Sequence, residues 1–160
     1  MNPRGFALVG GIVMLIVGLV ALLPNMVGPT EGLPALLNQQ SYGAFLDYFP
    51  MNIYNKVALI LFGISGIVAA QARFTSLPKS IQFSRFVLYI MGALAILGLF
   101  PQTNTLGGYW PLFGGDMVLH AVFAVLGGYF GYALSAKVPD SGPAIKNFTS
   151  SPSTSMRGSR

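Results

Sequence analysis

The sequence predicts an all-α membrane protein that crosses a lipid bilayer four times as a helical bundle. Hydrophobic residues make up 53% of the 160 residues and charged residues only 8%, far from what a water-facing surface needs. Four apolar segments approach the roughly 20 residues that a helix needs to cross hydrocarbon about 30 Å thick. These segments lack the alternation of polar and apolar residues that lipid-facing barrel strands require.

The four predicted helices lie at about residues 5–23, 51–71, 84–100 and 117–136. The first contains no charged residue and is predicted to end before Pro24, because proline lacks the N–H group and its ring blocks a continuing helix. The third is the shortest and stops before Pro101. Residues 1–137 are therefore predicted to form one four-helix transmembrane domain. Residues 138–160 are rich in Pro, Ser, Thr and Gly, which predicts a flexible cytoplasmic tail.

The basic residues predict which side of the membrane each connection occupies. Lys and Arg precede the first helix, surround the second connection and follow the fourth helix, whereas the first and third connections have none. Those two connections instead hold three of the four carboxylates, Glu31, Asp47 and Asp116. Because short loops rich in Lys and Arg stay in the cytoplasm, we predict a cell-membrane protein with both termini cytoplasmic.

The first connection, residues 24–50, is long and contains prolines and glycines that exclude a continuous helix. Its aromatic residues are Tyr42, Phe45, Tyr48 and Phe49. Together with Tyr109, Trp110 and Phe113 of the third connection, they are predicted to form an outer belt at the level of the lipid headgroups, where amphipathic rings are favoured. Two interpretations stay open. The rings anchor the bundle in the membrane, or they cover an outward-facing cleft.

The residue types exclude several kinds of site. The chain has no cysteine, which rules out disulfides and thiolate chemistry. No nucleic-acid partner is expected despite the net charge of +5, because the basic residues are scattered singly. His120 is the one histidine, so we expect no cofactor, although a haem or pigment held by His120 alone stays open. No metal site is expected either, because His120 and Asp116 supply fewer ligands than the three or four a metal needs.

Polar side chains gather where the second and fourth helices meet the first and third connections. This candidate polar cluster consists of Asn52, Asn55, Lys56, Asp116 and His120. Asp116 and His120 are four residues apart and so share one helix face. Charged groups beside hydrocarbon are costly unless they are paired or reach the interface, which makes them functional candidates. These side chains either hold the helices together or relay a proton or ion. The four spans contain no further acid or histidine that would continue a proton path, which argues against a complete relay.

Small residues four apart predict where helices approach each other closely. The candidate packing residues are Gly66 and Ala70 in the second helix, and Gly127 and Gly131 in the fourth. They serve packing within the bundle, an oligomer, or docking of an accessory subunit on a larger complex.

The two halves of the chain show a weak internal similarity. A shift of 64 residues aligns Asn52 with Asp116, Lys56 with His120, and Gly63 with Gly127. A shift of 81 residues aligns the first and third helices through Arg4 with Arg85 and Gly11 with Gly92. Duplication of a helix hairpin explains these matches, and so does coincidence among apolar helices.

One set of motifs connects the sequence to a known family. The motifs are Asn52-x-x-Asn55-Lys56, Gly63, Ser84-Arg85, Gly92, Gly98 and Asp116-Met117-Val118-Leu119-His120. Over residues 51–134 they resemble the bacterial four-helix membrane family catalogued as domain of unknown function 4383. The resemblance implies a four-helix membrane protein with no assigned activity. The family pattern has a histidine near the start of the second helix, where this chain has Asn55 and Lys56, which weakens any mechanism based on a histidine pair.

Together these observations predict a non-enzymatic structural or accessory component of the membrane. Its expected partners are the lipid bilayer and either a second copy or a larger membrane complex. The alternative is a small proton-coupled or small-solute transporter that uses Asp116, His120 and Lys56. A third class, a membrane oxidoreductase subunit, would carry a bound pigment or haem. A carrier should have a polar or broken helix at mid-membrane, and the sequence shows none.

Overall fold

A computed structural model describes residues 1–137, and the predicted tail at 138–160 lies outside the described residues. The helices are α1 Pro3–Val20, α2 Ile53–Gln71, α3 Ser76–Gly98 and α4 Gly115–Gly128. A π-helical turn, Tyr129–Ala133, continues α4, and 3₁₀ turns lie at Pro24–Met26 and Ser135–Lys137. The first three helices, and α4 together with its π turn, are each long and apolar enough to cross a membrane. The predicted all-α, four-span fold is therefore confirmed.

The first helix is shifted toward the N-terminus relative to the predicted 5–23. It begins at Pro3 because the Asn2 side chain accepts a hydrogen bond of 2.8 Å from the Gly5 N–H, and proline suits a first helical position. It ends at Val20 because Pro24 forces the preceding Leu23 out of the helical region, to a ψ of 132°. The last apolar residues before Pro24 form tighter turns instead.

The third helix starts much earlier than the predicted residue 84. It begins at Ser76, and Pro78 is tolerated because first-turn N–H groups have no partner within the helix. Its first turns are amphipathic, with Lys79 exposed and Ser80 buried, so a search for purely apolar residues misses them. The α2–α3 connection is consequently only residues 72–75. The helix also ends earlier than predicted, at Gly98.

A β-hairpin occupies the end of the first connection, where no strand was predicted. Strand β1, Gly43–Phe45, pairs antiparallel with β2, Phe49–Met51. The second helix starts two residues after the predicted residue 51, because Met51 ends β2 and Asn52 caps α2. Phe45, one of the four rings of the first connection that were predicted to lie at the headgroup level, is buried against Met51 in a small core cluster. Only Tyr48 in the hairpin turn is well exposed among those rings.

Tyr42, just before β1, links two parts of the first connection. Its hydroxyl donates a hydrogen bond of 2.8 Å to the carbonyl of Pro34. Burial raises the pKa of Tyr42, so the hydroxyl stays protonated and remains a donor at neutral pH. This ring therefore helps to hold the first connection in its folded conformation.

The fourth helix changes form before the predicted end at residue 136. A π turn widens the helix at Tyr129–Ala133 and leaves backbone carbonyls without their usual α-helical donors. Arg85 and Ser135 replace those donors, with Nε and Oγ at 2.9 Å and 2.7 Å from the Gly131 carbonyl oxygen. The Arg85 guanidinium also stacks on the Tyr132 ring at 4.5 Å.

The bundle consists of two tight hairpins, α1–α2 and α3–α4, that pack on each other mainly through α3. A Cβ atom on Gly63 would lie 2.7 Å from the Gly11 carbonyl oxygen, and one on Gly127 would lie 2.7 Å from the Ser84 carbonyl oxygen. In both hairpins the two helix backbones therefore approach each other equally closely at a glycine. Gly11 corresponds to Ser84, a shift of 73 residues, so the predicted alignment of Gly11 with Gly92 is wrong.

The bundle has two ends that differ in their connections. The loop end carries the first and third connections, residues 21–52 and 99–114, and the turn end carries the α2–α3 connection. An apolar core fills the bundle toward the turn end, where the Phe6 and Phe130 rings stack at 4.9 Å. Met14, Val87 and Met91 belong to the same core cluster. Most of the buried polar side chains lie at the loop end.

Candidate polar site at the loop end

The helix starts at the loop end carry the predicted polar cluster. Asn52 is the N-cap of α2, Asp116 lies in the first turn of α4, and His120 follows one turn later. All five members are buried, with exposed fractions of 0% for Asn52, 4% for Asn55, 0% for Lys56, 4% for Asp116 and 8% for His120. Burying a polar group is costly unless it has a hydrogen-bond partner.

Asn52 joins α2 to both long connections. Its side-chain oxygen accepts a hydrogen bond of 3.0 Å from the Tyr54 N–H, and its own N–H donates to the side-chain oxygen of Asn55 at 3.2 Å. This reciprocal arrangement is a capping box. The Asn52 amide nitrogen donates to the Tyr109 carbonyl at 2.7 Å and, at 3.4 Å, to the Asn38 carbonyl. A single side chain therefore ties the first and third connections together.

Lys56 extends to the first connection. Its Nζ donates to the carbonyl oxygen and to the hydroxyl of Ser41, both at 2.7 Å. Ser41 has a φ of +52°, a left-handed conformation that is uncommon outside glycine and turns. Within residues 1–137 no carboxylate lies within ion-pair distance of this ammonium group. The structure thus separates Lys56 from Asp116, with which the sequence grouped it.

Asn55, Asp116 and His120 form the other half of the cluster. Asn55 Nδ2 donates to Asp116 Oδ2 at 3.0 Å and to the Pro111 carbonyl at 3.3 Å. His120 Nδ1 lies 3.7 Å from the same Asp116 oxygen, which is too long for a hydrogen bond. In the described part of the chain, this buried nitrogen has no hydrogen-bond partner. Asp116 and His120 are therefore neighbours with unused hydrogen-bonding capacity.

Two cavities flank Asp116 and His120. One, of about 60 Å³, lies between α2 and α3 below the third connection. The other, of about 100 Å³, lies on the side of α1, and Leu59 and Met91 line both cavities together with the acid and the histidine. The pair therefore contributes polar groups to the walls of both cavities, and Asn55 and Trp110 add further polar groups to the smaller one.

Trp110 is a member of this site that the sequence did not reveal. It lines the smaller cavity and its ring stacks on Tyr54 at 6.3 Å. Its Nε1–H is buried and, within the described chain, has no acceptor. The sequence placed Trp110 among interfacial rings, since nothing in the pattern says that its loop folds back over the bundle. The one sequence feature that could have placed Trp110 in the site is its position just before Pro111, close to the start of the fourth helix.

The four candidate packing residues all face other helices of the same chain. Gly66 lies against the backbone of α1, and Gly127 and Gly131 lie against that of α3. Ala70 is buried, and its carbonyl accepts a hydrogen bond of 2.9 Å from Arg4 Nε. In residues 1–137, no three His, Asp or Glu side chains lie close enough together to hold a metal ion.

The helices and their buried polar site define a class of protein, a small integral membrane protein built from two helix hairpins. The first and third connections, residues 21–52 and 99–114, fold over the loop end and are called the cover. The sequence model of the family described as domain of unknown function (DUF4383) matches residues 4–133, and the chain belongs to this family. The resemblance inferred from the motifs is thereby confirmed and extends to α1. No match was found among curated proteins or solved structures.

Proposed function

We propose that the protein is a non-enzymatic structural or accessory component of the cell membrane, without a resident cofactor. Both termini lie on the cytoplasmic side, so the loop end faces outward. Its partners are the bilayer and a second copy or a larger membrane complex. The following observations support this proposal.

The observation that carries the proposal is how the polar side chains of α2 are used. Asn52, Asn55 and Lys56 each donate to a backbone carbonyl of a long connection, at Tyr109, Pro111 and Ser41 in turn. Hydrogen bonds from buried donors to loop carbonyls hold the connections on the bundle, because breaking one leaves a buried polar group unpaired. The polar residues thus serve to build a rigid cover.

The interior between the two ends argues against a transport path. In residues 1–137, the other buried polar side chains are Ser80 and Ser84, near the turn end. The core cluster that includes Met14, Val87 and Met91 separates them from His120. A solute or proton would have to cross this apolar layer without a polar partner.

The cover itself presents a surface for a partner. Several of its large apolar side chains are exposed, at Leu37, Leu46, Tyr48 and Tyr109. Exposed apolar side chains that together form a patch mark sites of interaction with a protein or with a membrane. An accessory subunit would present such a face to the complex that it serves.

Reconstitution in liposomes tests the proposal. We expect no pH-dependent flux of protons or small solutes above that of protein-free vesicles, because no polar path crosses the core. The carrier alternative rests on the two cavities beside Asp116 and His120. That alternative would replace ours if the wild-type protein drives such a flux and folded His120→Ala protein does not. Haem or pigment absorbance in purified material would instead indicate an oxidoreductase subunit.

Labelling of engineered cysteines tests the orientation, and the absence of native cysteine makes the background low. Asp47→Cys, in the exposed hairpin turn, should react with a membrane-impermeant maleimide added to intact cells. Thr75→Cys, in the α2–α3 connection, should react only after the membrane is opened. The reverse pattern would show that the loop end faces the cytoplasm.

A further inference from the structure

The smaller cavity contains hydrogen-bonding groups that the protein leaves unused. Trp110 Nε1–H and His120 Nδ1 are buried without partners in the described chain, and both residues line the cavity. Asp116 also lines the cavity. Within residues 1–137, the Asp116 carboxyl group receives a side-chain hydrogen bond from Asn55 alone. Buried polar groups without partners are costly, so their presence in one cavity points to a guest that pairs with them.

The remaining walls of this cavity are apolar and reach the surface of the bundle. Ala58, Leu59, Phe62, Met91 and Leu94 line it, and the lining residue Ile90 is exposed on α3. In a membrane this surface faces lipid tails. The cavity is therefore open to a guest that arrives from the bilayer with an apolar body.

The size of the cavity limits the polar end of such a guest. About 60 Å³ accepts a hydroxyl group with the first carbons of its chain. A phosphate headgroup is larger, and among the described residues no Lys or Arg side chain lines the cavity to pair with its charge. A ketone accepts hydrogen bonds but donates none, which leaves one of the polar groups without a partner.

We propose that this cavity binds the hydroxyl group of a membrane-soluble long-chain alcohol. A hydroxyl both accepts and donates, so it accepts a hydrogen bond from Trp110 Nε1–H and donates one to Asp116 or to His120 Nδ1. The apolar chain leaves between α2 and α3 along Phe62 and Ile90. The inference goes beyond the proposed structural role and does not depend on it, since the site exists with or without a partner complex.

Photo-labelling of the full-length protein in lipid nanodiscs tests the site. The probe is a long-chain primary alcohol with a diazirine in mid-chain, and the matched control is the same chain without the hydroxyl. We expect the alcohol to label α2 and α3 residues around Phe62 and Ile90, and unlabelled dodecanol, but not dodecane, to compete. Competition by farnesol would indicate an isoprenoid alcohol, and competition by dioctanoylglycerol a glyceride.

Three variants separate recognition from folding. Asp116→Leu should lower labelling about tenfold, the effect expected for one lost buried hydrogen bond. Trp110→Phe removes the N–H donor but keeps an aromatic ring, and it should also lower labelling. This second variant tests the site even if Asp116→Leu folds poorly. Asp47→Asn, at an exposed carboxylate, should label like wild type. Equal labelling by alcohol and alkane, or wild-type labelling in both site variants, would show an ordinary lipid-filled or water-filled crevice and overturn the proposal.

Discussion

Replacing Gly63 or Gly127 with alanine is expected to destabilise the protein by about 2 kcal/mol each, the cost of overpacking a tight contact. The added Cβ on Gly63 would lie 2.5 Å from the backbone nitrogen of Leu15, and that on Gly127 would lie 2.7 Å from the backbone nitrogen of Leu88. Backbone atoms cannot rotate aside, so the two helices of each hairpin must separate. The double variant should lose about 4 kcal/mol, because the two hairpins are independent sites.

Denaturant titration in mild detergent, followed by the fluorescence of the single tryptophan, measures these losses. Gly10→Ala and Gly92→Ala are the matched controls. A Cβ on Gly10 meets nothing closer than Phe6 at 3.9 Å, and one on Gly92 nothing closer than Ala124 at 3.8 Å. Alanine also favours helix over glycine, so both controls should be as stable as wild type or more so. Equal stability of all four single variants would show that close helix contact does not hold the hairpins together.

The sequence predicted the number and approximate placement of the helices because the membrane imposes a simple requirement of length and apolarity. It failed where a helix includes amphipathic residues or changes its hydrogen-bonding pattern. The first turns of α3 are amphipathic, so Lys79 and Pro78 read as a connection although the backbone there is helical. The π turn at the end of α4 also has no pattern of its own, because it depends on Arg85 of another helix.

The candidate site was predictable in part. Helical spacing alone brings Asp116 and His120 together, and the cost of burying charge singles out Lys56. Their partners depend on how two long connections fold back, and no local rule gives that path. Ser41 and Trp110 therefore enter the site only through tertiary structure, and the sequence grouped Lys56 with an acid that the folded chain keeps apart from it.

Lys56→Met is expected to release the cover more than it weakens the bundle. Methionine fills a similar volume but leaves the Ser41 carbonyl and hydroxyl without their buried donor, a loss of about 1.5–3 kcal/mol for a charged hydrogen bond. Removing the buried charge also removes its desolvation cost, which offsets the loss in global unfolding. The first connection should therefore open locally while the four helices stay folded.

Hydrogen exchange detects this local opening. The Ile53 N–H bonds the Gln40 carbonyl at 3.0 Å, next to Ser41, so its exchange should accelerate roughly tenfold to a hundredfold in Lys56→Met. Lys79→Met, at an exposed lysine, is the matched control and should exchange like wild type. Ser41→Gly keeps the carbonyl acceptor and relieves the left-handed φ, so its effect should be smaller.

The same Lys56→Met protein distinguishes the structural interpretation from the transport one. If Lys56 holds the cover, faster exchange in the first connection accompanies unchanged, absent flux in liposomes. If Lys56 belongs to a relay, the first connection stays protected and a wild-type flux disappears. Because its ammonium group bonds only Ser41 in the described chain, the structure favours the first result.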